Sequence, residues 1–322
     1  MEKRRFIKPI VVSSKCIEFA ACRWNGLMIK DDFVRQLTPF VEFRPVCPEF
    51  EIGLGIPRDP IRVVKSKGKL TLFQPATGKD FSRQMNVFSQ SYLESLDEVD
   101  GFILKGRSPS CGIKDVKIYG GIDKAPVTGK GTGFFGQAVI DRYPDLPVED
   151  EGRLTNFRIR EHFLTQIFAL ASWRGLDKSM AALIKFQENN KLLLMAYNQK
   201  EMRILGQITA NREKKKMNVV FAEYGIHLKR ALTTTPRVSS NVNVLTHALG
   251  YFKTGLQGAE KAHFLKTVDK YREGKIPLSV PIGIINSWIA RFGQEYLSGQ
   301  TYFQPYPEEL IQVSDSGKGR DF

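Results

Sequence analysis

The chain has 322 residues, 42% of them hydrophobic and 25% charged, which is apolar material for about two packed domains of roughly 100–200 residues each. The formal charge of +14 is uneven: residues 1–150 carry 23 Lys and Arg against 19 Asp and Glu, whereas residues 151–322 carry 25 against 15, an excess suited to phosphates. No apolar run approaches the roughly 18 residues that span a bilayer, and Lys8 and Pro9 interrupt the stretch after MEKRRF before it reaches secretory length, so the expectation is a cytoplasmic protein without membrane contact, its four cysteines thiols or ligands rather than disulfides.

Residues 8–104 alternate between strand-like and helix-like stretches. KPIVVSS and VDGFILKG are short, β-branched or aromatic runs ending in turn residues, which predicts buried strands. Between them, FSRQMNVFSQSYLESL repeats Met85, Phe88 and Tyr92 at helical spacing. Such alternation predicts an α/β domain with a parallel sheet. The Gly- and Pro-rich tract YGGIDKAPVTGKGTGFFGQ reads as a surface loop, and YPDLPVEDEG, residues 143–152, as a linker, dividing the chain into domains 1–148 and 149–322. Beyond it the pattern is helical throughout. Ile159, Phe163, Ile167 and Leu170 share one face of a helix that Gly175 would cap, and Ile285, Trp288, Ile289, Phe292 and Tyr296 follow Pro281 at steps of three and four, which predicts an all-α second domain. The tail SDSGKGRDF is expected to be disordered.

All four cysteines fall within the first 111 residues. Cys16 ends the run IVVSSKC, Cys22 follows after five intervening residues, Cys47 opens CPE and Cys111 lies in RSPSCG; three of them stand where a strand-like stretch becomes a turn, where a backbone can aim side chains into one pocket. The spacing is neither that of zinc-ribbon pairs nor C-x-x-C, nor the C-x3-C-x2-C of radical chemistry, and by itself leaves structural thiols and a metal site equally open. The neighbours favour a site: Glu49 lies two residues past Cys47, and Ser108 and Ser110 precede Cys111, where a cluster held by thiolates would find its surrounding polar groups.

SSKCIEFAACRWNG, CPEFEIGLGIPRDPIRVV and GFILKGRSPSCG together resemble the thiouracil desulfidase family. LLLMAYNQKEMRILGQ, NVNVLTHALGYFKTGL, EKAHFL, YREGKIPLSVPIGII and YLSGQTYFQPYPEEL resemble the helical domain often fused to it, so the likeness covers roughly residues 8–312 and is similar in arrangement to the tRNA 4-thiouridine desulfidases. The resemblance implies a Rossmann-like α/β domain that binds a 4Fe-4S cluster through three cysteines, best matched by Cys16, Cys47 and Cys111, with Cys22 spare. It further implies that substrate sulfur meets the iron lacking a protein ligand and departs as hydrosulfide without net electron transfer, Glu49 activating the water and Ser108 bonding the base or the water. Lys105 and Arg107 would offset the cluster's charge or touch a phosphate, or else be solvated surface groups.

GKGTG at 129–133 and ATGKD do not fit the phosphate-loop pattern, and no G-x-G-x-x-G joins a strand to a helix, so no nucleotide cofactor is expected; the glycines are assigned to a turn near the cluster. In the basic half, Lys191, Arg203, Tyr251 and Lys253 are the expected contacts to RNA, cations for phosphates and an aromatic for an unpaired base. His247 is assigned to capping or bridging helices in preference to catalysis. Gln187 and Asn190 stand in KFQENNK, where the resembling helical domain has histidines. The expected activity is therefore desulfuration of 4-thiouridine in tRNA to uridine. Desulfuration of free thiouracil or thiolated nucleotides is the alternative within enzymes, and a non-enzymatic, cluster-carrying RNA-binding protein the alternative outside them.

Overall fold

Ile10, Val11 and Val12 are too apolar for a surface, and in the computed structural model, which describes residues 4–66, 68–122 and 125–311, they open strand β1 (Ile10–Ser14), every residue of which is buried. The elements follow as α1 (Asp32–Leu37), β2 (Glu42–Val46), α2 (Pro48–Glu51), β3 (Arg62–Ser66), β4 (Lys69–Gln74), β5 (Lys79–Asp80), α3 (Ser82–Ser95) and β6 (Gly101–Leu104). Then come β7 (Val116–Tyr119), β8 (Val127–Gly131), α4 (Phe134–Arg142), β9 (Val148–Asp150) and α5 (Phe157–Arg174). The helices α6 (Met180–Tyr197), α7 (Gln199–Ala210), α8 (Met217–Leu232), α9 (Val238–Leu249), α10 (Gly258–Arg272), α11 (Ser279–Phe292) and α12 (Glu295–Ser298) complete the chain.

The expected parallel sheet is present, in the order β2-β1-β6-β9 with every pairing parallel. Pro45, which has no N–H for a ladder, sits on the edge strand β2, where that loss is tolerated. Beside this sheet the chain builds a second one that the alternating pattern does not announce, in the order β5-β4-β3-β7-β8, mostly antiparallel with one parallel pairing between β3 and β7. Val12 and Val46 of the first sheet share a core with Val63, Leu72 and Val116 of the second, together with Met85 of α3 and Phe135 of α4.

Two expectations along this stretch are corrected. The tract expected as a loop contributes β8 and the start of α4, because Val127–Gly131 pairs antiparallel with β7. The expected linker contains β9, whose Val148, Glu149 and Asp150 pair with Phe102, Ile103 and Leu104, and the compact α/β unit takes in Ile7–Ala171. Helix α5 is buried on every face from Phe163 to Ala171, not along one stripe.

The helical unit, Ser172–Glu308, is built from helices and short 3-10 turns among its described residues, as expected. Ile285, Trp288 and Ile289 of α11 enter its core with Phe252 and Phe264, the Trp288 ring lying 5.6 and 5.2 Å from those two phenylalanines. Gln187 accepts a hydrogen bond from the Tyr224 hydroxyl at 2.6 Å, and Asn190 accepts one from Thr301 at 2.7 Å, so both serve packing within the unit. His247 lies in the last turn of α9, with its ring 5.8 Å from that of Tyr251. Among the described residues no helix is long and apolar enough to cross a membrane. The tail expected to be disordered lies outside the described residues.

The glycines of GTGFFG let α4 approach another backbone. The N–H groups of Gly133, Phe134 and Gly136 donate to the carbonyls of Gly112, Pro109 and Ser110 at 2.7, 3.1 and 2.9 Å, so the loop carrying Cys111 satisfies donors that the first turn of α4 leaves unpaired. A Cβ on Gly136 would stand 2.5 Å from the Gly112 oxygen and 2.8 Å from the Cys111 oxygen. Gly136→Ala is therefore expected to destabilise the protein by about 1–3 kcal/mol through overpacking, read as a lower urea midpoint; an unchanged midpoint would show that the helix can back away at no cost.

Candidate metal centre

Three adjacent parallel strands end on the same side of their sheet, and each hands the chain to a cysteine-bearing turn: β1 to Cys16, β2 to Cys47 and β6 to the loop holding Cys111. The carboxyl edge of a parallel sheet is where open α/β folds place ligands, since the turns there are free of the ladder and still anchored by it. Cys47 is the residue before α2, and Glu49 lies in the first turn of that short helix, so strand, cysteine and carboxylate are set by one sharp turn.

The structure brings the cysteines together. The Cys47 Sγ lies 3.8 Å from the Cys22 carbonyl oxygen, and the Cys22 thiol is near enough to Cys16 and Cys47 for both to act on its proton affinity. Cys22, expected to be spare, is therefore a neighbour of both. Cys111 is buried close enough to feel the charges of Cys47 and Glu49. Its thiol is pushed up to about 12, foremost by burial, while a hydrogen bond to Ser14 acts in the opposite direction. Hydrogen bonding to Cys22, then burial, holds the Cys47 thiol far above its ordinary value, and hydrogen bonding to Cys16 raises Cys22. These thiols keep their protons at neutral pH until something displaces them.

Glu49 is held from two sides. Its Oε2 accepts from Nε of Arg58 at 2.8 Å and lies 2.7 Å from Nη2 in the ion pair, and its Oε1 accepts from the Ser110 hydroxyl at 2.6 Å. Ser108, the expected partner of the base, stands one hydrogen bond behind: its hydroxyl meets that of Ser110 at 2.9 Å and accepts from the N–H groups of Ser110 and Cys111 at 3.2 and 3.1 Å. Ser108 therefore shapes the Cys111 turn, and Ser110 touches the carboxylate. Arg58 was not among the expected site residues. It lies in the quoted stretch CPEFEIGLGIPRDP, nine residues past Glu49, and only a cation in a Gly- and Pro-rich loop beside a functional acid marks it there.

The remaining expected residues are placed as follows. Lys105 is ion-paired with Glu151, which also accepts from the Gly106 N–H at 2.8 Å, so Lys105 serves to pin the start of the Cys111 loop. Arg107 is exposed and has a left-handed backbone, φ 60°. Lys191 on α6, Arg203 on α7, and Tyr251 and Lys253 in the turn after α9 are all exposed, on separate elements of the helical unit, with Tyr251 stacked on Tyr296 at 5.1 Å.

An iron-sulfur cluster needs soft donors that can lose a proton and that reach several corners of the cluster. Four thiols gathered at three strand ends fit that chemistry. Among the described residues no three acidic, imidazole or thiol groups converge on the single point that one metal ion would require.

Residues 10–151 match the family described as 2-thiouracil desulfurase, and residues 191–307 match DUF1722, a family described as of unknown function. The uncharacterized protein YbgA of Escherichia coli (strain K12) is 29% identical over 164 residues, covering 50% of this chain and 96% of YbgA. The uncharacterized protein YbbK of Bacillus subtilis (strain 168) is 28% identical over 130 residues, covering 38% of this chain and 85% of YbbK. Among solved structures, the [4Fe-4S]-dependent thiouracil desulfidase TudS is 22% identical with a TM-score of 0.36, covering 46% of this chain and 93% of TudS. Residues 10–151, which carry the four thiols and the hydrogen-bonded carboxylate, thus match the model of the 2-thiouracil desulfurase family, and residues 191–307 match that of DUF1722.

Proposed function

We propose that this protein is an iron-sulfur-dependent desulfidase that replaces the sulfur of a thiolated pyrimidine by oxygen, and that its substrate is 4-thiouridine in tRNA. The observation that carries the reading is the Glu49 carboxylate, bonded to Ser110 and set beside thiols at three strand ends. Cys16, Cys47 and Cys111 would hold a 4Fe-4S cluster, one from each strand end. When bound, such a cluster supplies a soft Lewis acid that draws electron density from the thiocarbonyl carbon.

The chain's own groups supply the rest. Water attacks that carbon and gives one proton to Glu49, which passes it to the sulfur; the carbon–sulfur bond then breaks as the remaining hydroxyl proton leaves through Glu49 to the departing hydrosulfide, so that thiocarbonyl and water become carbonyl and hydrogen sulfide with no change in electron count. A hydroxyl relay from Ser108 through Ser110 to Glu49 keeps the base oriented as its charge changes. The burial of Cys111 keeps bulk water from that wall of the site.

The excess of basic residues in the second half supports RNA as the bearer of the thiolated base, with exposed Lys191, Arg203 and Lys253 for phosphates and Tyr251 for a base stacked out of its helix. Free thiouracil or a thiolated nucleotide is the second reading, favoured by the family matched by residues 10–151.

Nucleoside mass spectrometry of tRNA after incubation with the iron-loaded protein should show 4-thiouridine converted to uridine, and Glu49→Gln should lower kcat about 10²–10⁴-fold at unchanged iron content; tRNA left intact while free thiouracil is consumed would select the second reading. Lys253→Glu with Tyr251→Ala should weaken tRNA binding and flatten its salt dependence while sparing turnover of a free base, checked by titration at several salt concentrations. Because Cys47 and Cys111 hold their protons well above neutral pH, their conversion to thiolates releases protons. Cluster loading should accordingly be weaker at about pH 6 than at about pH 8, measured as iron retained per chain.

A further inference from the structure

The Arg58 side chain is 4% exposed and that of Glu49 13%, so the pair is desolvated and its geometry is set by the protein. Arg58 does not grip the carboxylate in the usual fork, one N–H to each oxygen. Both Nε and Nη2 converge on Oε2, at 2.8 and 2.7 Å, and the remaining arm, Nη1, donates to the Cys22 carbonyl at 3.1 Å and to the Gly55 carbonyl at 3.0 Å. The Arg58 backbone N–H is itself anchored on the Trp24 carbonyl at 2.8 Å. One guanidinium thereby fastens the carboxylate to the turn that carries Cys22, and through it to the strand end that carries Cys16.

For Glu49 the two oxygens are held differently. Oε2 accepts from Arg58 Nε and lies in ion-pair contact with its Nη2, while Oε1 accepts from the Ser110 hydroxyl alone, so the guanidinium and the hydroxyl fix the carboxylate from opposite sides and Oε1 is the oxygen turned away from the cation.

We propose that Arg58 is the positioning residue of this site, locking Oε2 so that Oε1 alone exchanges the proton of the attacking water. This rests on the desulfidase reading for its kinetic consequence, but the lock itself is a property of the metal-free chain. Lysine in its place keeps the charge and loses the geometry, since a single ammonium cannot reach Glu49, Cys22 and Gly55 together.

The test compares wild type, Arg58→Lys, Arg58→Gln and Glu49→Gln. In metal-free protein labelled with 15N-arginine, one Nε–H signal protected from solvent exchange should be present in wild type and absent in all three variants; a protected signal that survives Glu49→Gln overturns the lock, whatever the enzyme does. In iron-loaded protein, Arg58→Lys should lower kcat about tenfold or more with KM within about twofold, and should add little to the loss already caused by Glu49→Gln, because residues acting as a unit are not additive. Unchanged kcat, a loss confined to KM, or iron lost from Arg58→Lys would each overturn the proposal, the last by assigning Arg58 to the cysteine turn instead of the base. If wild type desulfurates no thiolated pyrimidine, the functional reading fails, and the protected signal alone decides the lock.

Discussion

A buried carboxylate beside thiols is costly unless every lone pair that leaves water finds a donor. Glu49 meets that constraint with Arg58 on one oxygen and Ser110 on the other, and the surrounding structure is arranged to keep those donors in place. Ser108 holds the turn that carries Ser110 and Cys111; Lys105 and Glu151 pin the start of the same loop to the end of β9; and α4 caps itself on the carbonyls of that loop. Two sheets share one core, so the carboxyl edge on which all of this stands is rigid.

The same constraint joins the cysteines to the acid. Cys47 and Glu49 share one helical turn, Arg58 reaches the Cys22 carbonyl, and Ser110 precedes Cys111. The segments that present soft donors are therefore the segments that orient the base, and movement in one is felt by the other. Such coupling suits a reaction in which sulfur must be taken from one side of a carbon while water is delivered to it. It also explains why the glycines of GTGFFG matter at a distance from the chemistry: their missing side chains let α4 lie against the backbone of Cys111 and Gly112.

Much of this was legible in the sequence because it depends on local pattern. Ile10–Val12 and Phe102–Leu104 are unmistakable buried strands, and the turns after them put cysteines where a parallel sheet exposes its ends. The second sheet was not legible: Val63 and Val64 are both buried, so β3 lacks the alternation that marks a strand, and β8 is a run of Gly, Lys and Thr whose strand character comes only from pairing with β7. The strand within 148–150 hid in a Pro-rich, acidic stretch for the same reason. At the site, the resemblance implied Ser108 as the partner of the base, whereas the hydroxyl that reaches Glu49 is that of Ser110, because the turn spends Ser108 on its own backbone. Arg58 lay beyond such reasoning, since its partners are nine and 36 residues away in sequence.

The most direct measurement is the origin of the oxygen. Iron-loaded protein is incubated without added oxidant or reductant in 18O-labelled water with a thiolated pyrimidine, and product and sulfide are quantified together. The expected result is one labelled oxygen in each product carbonyl and one hydrogen sulfide released per turnover. Product oxygen that does not come from water, or sulfur released only when an electron donor or acceptor is supplied, would contradict a Glu49-driven hydrolytic desulfuration.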